Sequence, residues 1–366
     1  MGSRMKRLRI LVVASMFAVP FACRSVGPRT IPGDRFNYNE AGAQSASQQL
    51  LLNIVRLRYG EPTYWLEITS MLSQYELKAG GALSWFDYSL EPLRNPALRA
   101  VYGLDPDPAL DKQQEANLSF SDRPTISYSP LQGKEFASRL MAPIPPVTIM
   151  YLAESGWPID RILDCCVQRI NGISNAPIHD VGISETFDPK PFDKLSEVLR
   201  SIQDKGDLRF TLEYNAKEKA AYLEGPLSTE SSKLLRINPQ QRKIRLTARS
   251  TRESDDELAI QARSLLATMF ALSESFTPPA DHVKSGQVLP GMPTEQNASA
   301  KWLNIECNRL PAPDAFVQVH HNGYWFYIPR TDFRSKRTFA LLTYLFSLQT
   351  ADLSGMAPML TVPTGG

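Results

Sequence analysis

Apolar residues recur along this chain with two periods, and the switches between them predict its elements. Over residues 38–59 the spacing is helical. Leu50, Ile54 and Leu57 share one face, flanked by Leu51 and Val55, while Gln49, Asn53 and Arg56 form a polar stripe opposite. Asn37 with Glu40 reads as a capping box at its start, and Gly60 with Pro62 as its stop. A helix of this kind has to bury its apolar face against later segments, so the rest of the chain is expected to be organised around it.

Downstream, residues 63–77 and 82–90 read as a hairpin about Gly80-Gly81, and 91–114, with Pro92, Pro96, Pro106 and Pro108, as an irregular loop. Short strands are expected at 117–121 and 125–129, around Asp122-Arg123-Pro124. Helices follow at 134–141 and 147–154. Another is predicted at 158–170, where Ile159, Ile162, Leu163, Cys166, Val167 and Ile170 make an apolar stripe that leaves Cys165 aside. Phe192, Leu195, Val198, Leu199 and Ile202 mark a helix ending at Gly206, and Leu208, Phe210, Leu212 and Tyr214 a strand. Residues 233–237 and 243–248 are expected to pair across Asn238-Pro239. Ser254 with Glu257 reads as a capping box opening a helix over Leu258, Ala262, Leu265, Leu266 and Met269.

Residues 273–313 show little periodicity apart from a strand at 302–307, and a loop of that length is functional or disordered. In the last section, Val317 and Val319 fall opposite Ile328 and Phe326 if Asn322-Gly323 makes the tight turn, since that pair supplies the positive φ such turns need. Asp332 caps a final helix carrying Phe339, Leu342, Leu345 and Phe346, and 359–363 adds an edge strand. The fold class is α+β: helices and antiparallel hairpins behind an N-terminal export signal. The divisions expected are 1–22 signal peptide, 23–34 tether, 35–187 helix, hairpin and helical region, and 188–366 C-terminal α/β region.

The N-terminus changes the picture from a plain globular chain. Arg4, Lys6, Arg7 and Arg9 precede the apolar run 10–22, and Cys23 follows at once. The pattern is that of an export signal, because the run is shorter than the roughly 20 residues a bilayer-spanning helix needs. A cysteine in this place resembles the lipobox of bacterial lipoproteins and makes Cys23 the candidate lipid-attachment residue. Of Pro20-Phe21-Ala22 only Ala22 matches that pattern, which leaves an uncleaved anchor or a soluble periplasmic protein as the alternative. Arg24, where sorting signals for inner-membrane retention carry Asp, points by resemblance to the outer membrane. At 366 residues and 43% hydrophobic the chain can bury a core large enough for two domains. Removing the four leading cations from the formal charge of +2 leaves −2, and a near-neutral body excludes nucleic acid as an expected partner.

Three segments carry a resemblance. They are Phe36-Asn37-Tyr38-Asn39-Glu40 running into the helix from Leu51 to Tyr59; Pro143-Ile144-Pro145-Pro146 leading to Ser155-Gly156-Trp157-Pro158; and Trp325-Phe326-Tyr327-Ile328 leading to Ser335-Lys336-Arg337-Thr338-Phe339. Together they resemble a family of uncharacterised proteobacterial envelope lipoproteins. The resemblance implies an envelope address, with the membrane reached through a lipid anchor, and it implies no activity.

Candidate chemistry is sparse. Cys165, Cys166 and Cys307 allow one disulfide and one free thiol, and no spacing suits zinc. Of the four histidines, His179 beside Asp180 reads as a loop residue, and His320 and His321 should point to opposite strand faces. The acids Asp105, Asp107 and Asp111 fit no calcium loop, and Asp255, Asp256 and Glu257 read as the first turn of a helix. Arg242, Lys243, Arg245 and Arg249 read as a solvated strand face, and Tyr324, Trp325 and Tyr327 as packing aromatics that could also stack on a sugar or peptide. No Gly-x-Ser-x-Gly, phosphate loop, dinucleotide fingerprint or His-Glu-x-x-His motif is present. No catalytic, cofactor-binding or metal residue is therefore expected. The function expected is that of a lipid-anchored binding or scaffold component with an envelope protein partner, in a secretion or surface-assembly system. The alternatives are an envelope hydrolase or glycan-active enzyme built on carboxylates, and a small-ligand binder.

Overall fold

The computed structural model describes residues 26–72, 75–81, 116–122, 125–175, 188–215, 218–225, 229–290, 301–350 and 360–363. The leader with Cys23, the strand expected at 82–90, the loop 91–114 with its three acids, and His179 lie outside the described residues. The described elements are helices with antiparallel and mixed sheets, an α+β fold. They divide into two compact units, 1–65 with 131–356, and 66–130 with 357–366. The 187/188 boundary expected from sequence thus falls inside the larger unit.

Helix α1 (Val26–Arg58) opens the larger unit. It starts upstream of Asn37 and Glu40, so that pair lies within the helix and does not cap it, and its first nine residues fall in the stretch read as a tether. Its end follows the sequence reading. Gly60 at φ 69° donates to Leu57 O and Glu61 N–H reaches Arg56 O, the paired bonds of a Schellman motif. Leu50, Leu51, Ile54 and Val55 are buried, as the apolar stripe requires. The polar stripe needs correcting, because Asn53 is buried too. Its side-chain amide donates to Tyr64 O at 2.8 Å and its Oδ1 accepts from Tyr64 N at 2.9 Å, so the polar atoms are fully used against backbone.

In the smaller unit, β1 (Trp65–Leu72), which begins one residue before it, lies beside β4 (Thr125–Leu131), and the C-terminal strand Leu360–Pro363 pairs antiparallel with the other edge of β4. That edge strand was legible in the sequence. The hairpin about Gly80-Gly81 was not: both glycines belong to β2 (Tyr75–Gly81), which pairs along its length with β3 (Ala116–Asp122).

The larger unit continues with α2 (Lys134–Met141), α3 (Pro146–Glu154) and α4 (Ile159–Cys166). The helix expected to reach Ile170 stops at Cys166, and Val167–Ile170 is strand β5. Apolar positions continue through the change because the strand is buried as well, and periodicity alone cannot separate the two. The carbonyls at the end of α4 are satisfied from elsewhere: Arg263 donates to Asp164 O and Cys165 O, and the Asn175 side chain to Leu163, Asp164 and Val167 O. After β5 the turn Asn171-Gly172 (φ 45° and 85°) leads into β6 (Ile173–Ser174).

Then come α5 (Lys190–Asp204), β7 (Arg209–Asn215), β8 (Glu218–Glu224), α6 (Thr229–Leu235), β9 (Lys243–Thr247) and β10 (Glu257–Ala262). The sheet order is β6-β5-β10-β9-β8-β7, with β9 and β10 parallel and the other pairs antiparallel. Two expectations fail here. Residues 233–237 do not pair with 243–248; Lys233 to Leu235 end α6, and Arg236 takes a positive φ of 55° on the way out. Glu257 to Ala262 is a strand, and helix α7 (Leu265–Ser273) starts at Ser264, whose hydroxyl accepts from Ala267 N. Asp255 and Asp256 therefore sit in the turn before β10, and Glu257 is the first residue of the strand.

Within the segment read as a long loop, α8 (Ala280–Lys284) and the three-residue strand β11 (Glu306–Asn308) are ordered elements. The final section matches its reading closely. In β12 (Ala315–His321) and β13 (Tyr324–Pro329), Val317 pairs with Ile328 and Val319 with Phe326, across Asn322 and Gly323 at φ 46° and 80°. Asp332 caps α9 (Phe333–Thr350): its carboxylate accepts from Ser335 N at 3.0 Å. Phe326, Ile328, Phe339, Leu342 and Leu345 are all buried, and the face of α1 packs on β12 and α7.

Candidate functional site

Two polar clusters in the larger unit bring distant side chains together. The first forms where α1 ends. The Schellman turn sets Tyr59 and Glu61 against the C-terminal hairpin. The Tyr59 hydroxyl lies 2.7 Å from Nδ1 of His282, a buried residue of α8. Its ring stands edge-on to His282, His321 and Phe326. His321 Nε2 is 3.2 Å from the Glu61 carboxylate. Tyr324 donates to both carboxylate oxygens of Asp281, which also pairs with Arg309. On the other side, Arg58 is buried against Glu274 at 3.0 Å and donates to Leu289 O.

Burial, reinforced by the negative potential of Cys307 and Asp281, holds the Tyr59 phenol far above its ordinary range. A phenol that keeps its proton is a poor base. Burial likewise pushes the Cys307 thiol up, so it lacks the thiolate character of a nucleophile. These groups clamp α1, α8 and the hairpin to one another, and their chemistry is that of a structural joint. Sequence reasoning named His321 but missed His282 and Tyr59 as its neighbours. The one local signal for α8 was Pro279 ahead of Asp281, a proline and an acid at a helix start.

The second cluster surrounds Trp302, in the segment that α9 holds in place. Thr338 Oγ1 donates to Trp302 O at 2.7 Å, and Asn304 N donates to the Ser335 hydroxyl at 2.8 Å. Trp302 Nε1 donates to Asp164 at 2.8 Å, and Lys301 Nζ lies 2.7 Å from the same carboxylate and 3.1 Å from Asp193. Burial raises Asp164 to about 6 despite the lysine. At Lys301 burial works the other way, yet Asp164 and Asp193 hold the ammonium above its ordinary value. The two shifts agree, because the carboxylate is fully enclosed while the lysine keeps part of its surface in water. Over the Trp302 ring lie the guanidinium groups of Arg161, at 4.8 Å from the centroid, and Arg334, at 6.0 Å; Arg337 lies over Trp157.

Asp164 and Asp193, joined through Lys301, are the nearest approach to the carboxylate pair that acid–base catalysis would use. Asp164 has no exposed surface, and its carboxylate is engaged by Trp302 and Lys301. A groove of about 690 Å³ between α5 and α6 is lined by Lys194, Glu230, Lys233 and Arg236 as well as Ile173, Pro191 and Leu234, so its walls mix charged and apolar side chains. Among the described residues there is no group of three His, Cys, Asp or Glu placed to hold a metal.

The remaining sequence candidates are scattered. His320 is exposed beside Trp325 while His321 faces inward, so the two do point apart. Cys165 and Cys166 are both fully buried and free, and Cys307 is free as well; that Cys165 is enclosed corrects its placement off the apolar stripe. Lys243 is tied to Glu213 and Glu224 and stacks on Tyr222. Among the described residues no helix is long and apolar enough to cross a membrane. Compared with family models, curated proteins and solved structures, the chain matches none of them.

Proposed function

We propose that this chain is an exported protein anchored through a lipid on Cys23 to the periplasmic face of the outer membrane, where it acts as a binding or scaffold component for another envelope protein. The observation that carries the reading is the order of the N-terminus: Arg4, Lys6, Arg7 and Arg9, then an apolar run, then Cys23, with α1 beginning three residues later. Along α1 the side chains from Arg35 to Glu40 are mostly exposed, and burial begins in earnest at Leu50. The 15 residues from Arg35 to Gln49 would span roughly 22 Å as a helix. That spacing supports an anchored body carried clear of the lipid surface. The resemblance to proteobacterial envelope lipoproteins supports the same address.

The two polar clusters support a binding role over a catalytic one, since each uses its titratable groups to join elements of the fold. Crosslinking in intact cells followed by affinity recovery tests this. The reading expects one reproducible envelope protein in the crosslinked product, and its loss when Cys23→Ser releases the chain from the membrane. A chain recovered alone, whose purified form cleaves glycan or ester substrates, would favour the hydrolase reading.

A further inference from the structure

Arg161 is buried to 95%, and its Nε and Nη1 have no hydrogen-bond partner. A charged group stripped of water in this way normally has a carboxylate against it. Here the groups that act on it most strongly include two more cations, Arg337 and Arg334; Cys165 and Asp160 are the neighbours of opposite sense. Asp160 precedes it on α4, and neighbours on a helix project about 100° apart. No carboxylate forms an ion pair with Arg161, Arg334 or Arg337 among the described residues. Lys301 is already neutralised by Asp164 and Asp193.

The helix that carries Arg334 and Arg337 sharpens the contradiction. Apart from the capping carboxylate of Asp332, which Ser335 occupies, α9 has no acid in its first turn, and Arg334, Lys336 and Arg337 all fall within its first five residues. The positive end of a helix dipole disfavours cations there. A buried guanidinium with unused donors, two like charges beside it and a helix N-terminus of the same sign are each unfavourable alone. One bound oxyanion would make all of them favourable. Guanidinium groups offer paired N–H donors that match a phosphate oxygen pair, and these arginines lie against the Trp302 and Trp157 rings.

We propose that Arg161, Arg334 and Arg337, at the N-terminus of α9, bind a phosphate-class oxyanion. Arg334 is exposed and Arg337 half-buried, so the ligand enters from their side and meets Arg161 at the base. The inference is independent of the lipid anchor.

Thermal unfolding of the full chain in detergent tests it, with inorganic phosphate titrated against chloride at matched ionic strength. Phosphate should raise the midpoint progressively and chloride should not. Arg337→Gln should weaken the apparent phosphate affinity at least tenfold. In phosphate-free buffer Arg161→Met should leave the midpoint unchanged or raise it, and abolish the response to phosphate. If both salts act alike, or if Arg337→Gln responds to phosphate as the wild type does, the proposal is overturned. A parallel titration with monomeric dihexanoyl phosphatidic acid separates the sources: a stronger response to it than to inorganic phosphate identifies a lipid headgroup, and an equal response identifies the free anion. No response to either overturns the site.

Discussion

Phe326→Ala is the most informative single change to the packing. Phe326 is fully buried in β13, pairs with Val319 across the hairpin, and meets Tyr59 and Phe276 edge-on at 6.1 and 5.7 Å. A phenylalanine of this kind buries roughly 150–250 Å². At roughly 25 cal/mol per Å² its burial is worth roughly 4–6 kcal/mol. Alanine keeps the Cβ and the surroundings relax in part, so the expected loss is roughly 3–5 kcal/mol. Each aromatic contact adds roughly 0.5–1.5 kcal/mol, which favours the upper half of that range. The assay is thermal or urea unfolding of the full chain. At roughly 2–4 °C per kcal/mol for a domain of this size, the midpoint should fall by roughly 6–20 °C. The reasoning fails if the midpoint holds while recovery of an envelope partner is lost, because the hairpin would then be a recognition surface and not part of the core.

Four further outcomes follow from the same contacts. Asn171, held at φ 45°, donates to Leu235 O at 2.7 Å and accepts from Ala259 N at 2.8 Å, so Asn171→Ala should cost roughly 2–4 kcal/mol, measurable by urea unfolding. Burial pushes the Cys166 thiol up to about 12, so in the native chain Cys166 should resist a polar alkylating reagent at pH 8 and label quickly once unfolded; rapid native labelling would contradict the packing of α4. Asp164 has its folded pKa raised from 3.8 to about 6, so the proton is bound more tightly in the folded state, and the stability difference between wild type and Asp164→Asn should decline by roughly 3 kcal/mol as pH rises from about 4 to about 6. Because Trp302 donates to that carboxylate, its fluorescence, isolated by difference from Trp302→Phe, should titrate near pH 6; a flat signal would show that the acid does not change charge there.

What was legible in the sequence depended on how local the cause was. Asn322-Gly323 dictates its turn by its own backbone preferences, and the register of Val317, Val319, Phe326 and Ile328 follows from it. Gly60 and Asp332 likewise announce helix ends that they make themselves. The failures are places where a distant partner decides. Val167 to Ile170 continues a helical stripe but is claimed by β10, and Glu257 to Ala262 looks like the start of a helix but lies between β5 and β9. Gly80-Gly81 reads as a turn until β3 is found beside it.

The polar clusters were the least legible of all. Tyr59 meets His282 across 223 residues and Trp302 meets Asp164 across 138, and nothing in the composition of either segment signals its counterpart. Asn53 and Arg58 were hidden for a related reason. A polar residue on a helix reads as solvated unless its partner is known, here the backbone of Tyr64 and the carboxylate of Glu274.

The proposed lipid anchor depends on Cys23, and mass analysis of the mature N-terminal peptide from membrane-purified protein reads its chemistry at that residue. The mature chain should begin at Cys23, this residue should carry a diacylglyceryl group with an acylated amine, and Cys23→Ser should accumulate as full-length precursor. A mature chain whose first residue lies elsewhere, or an unmodified thiol at Cys23 in the membrane fraction, would contradict it.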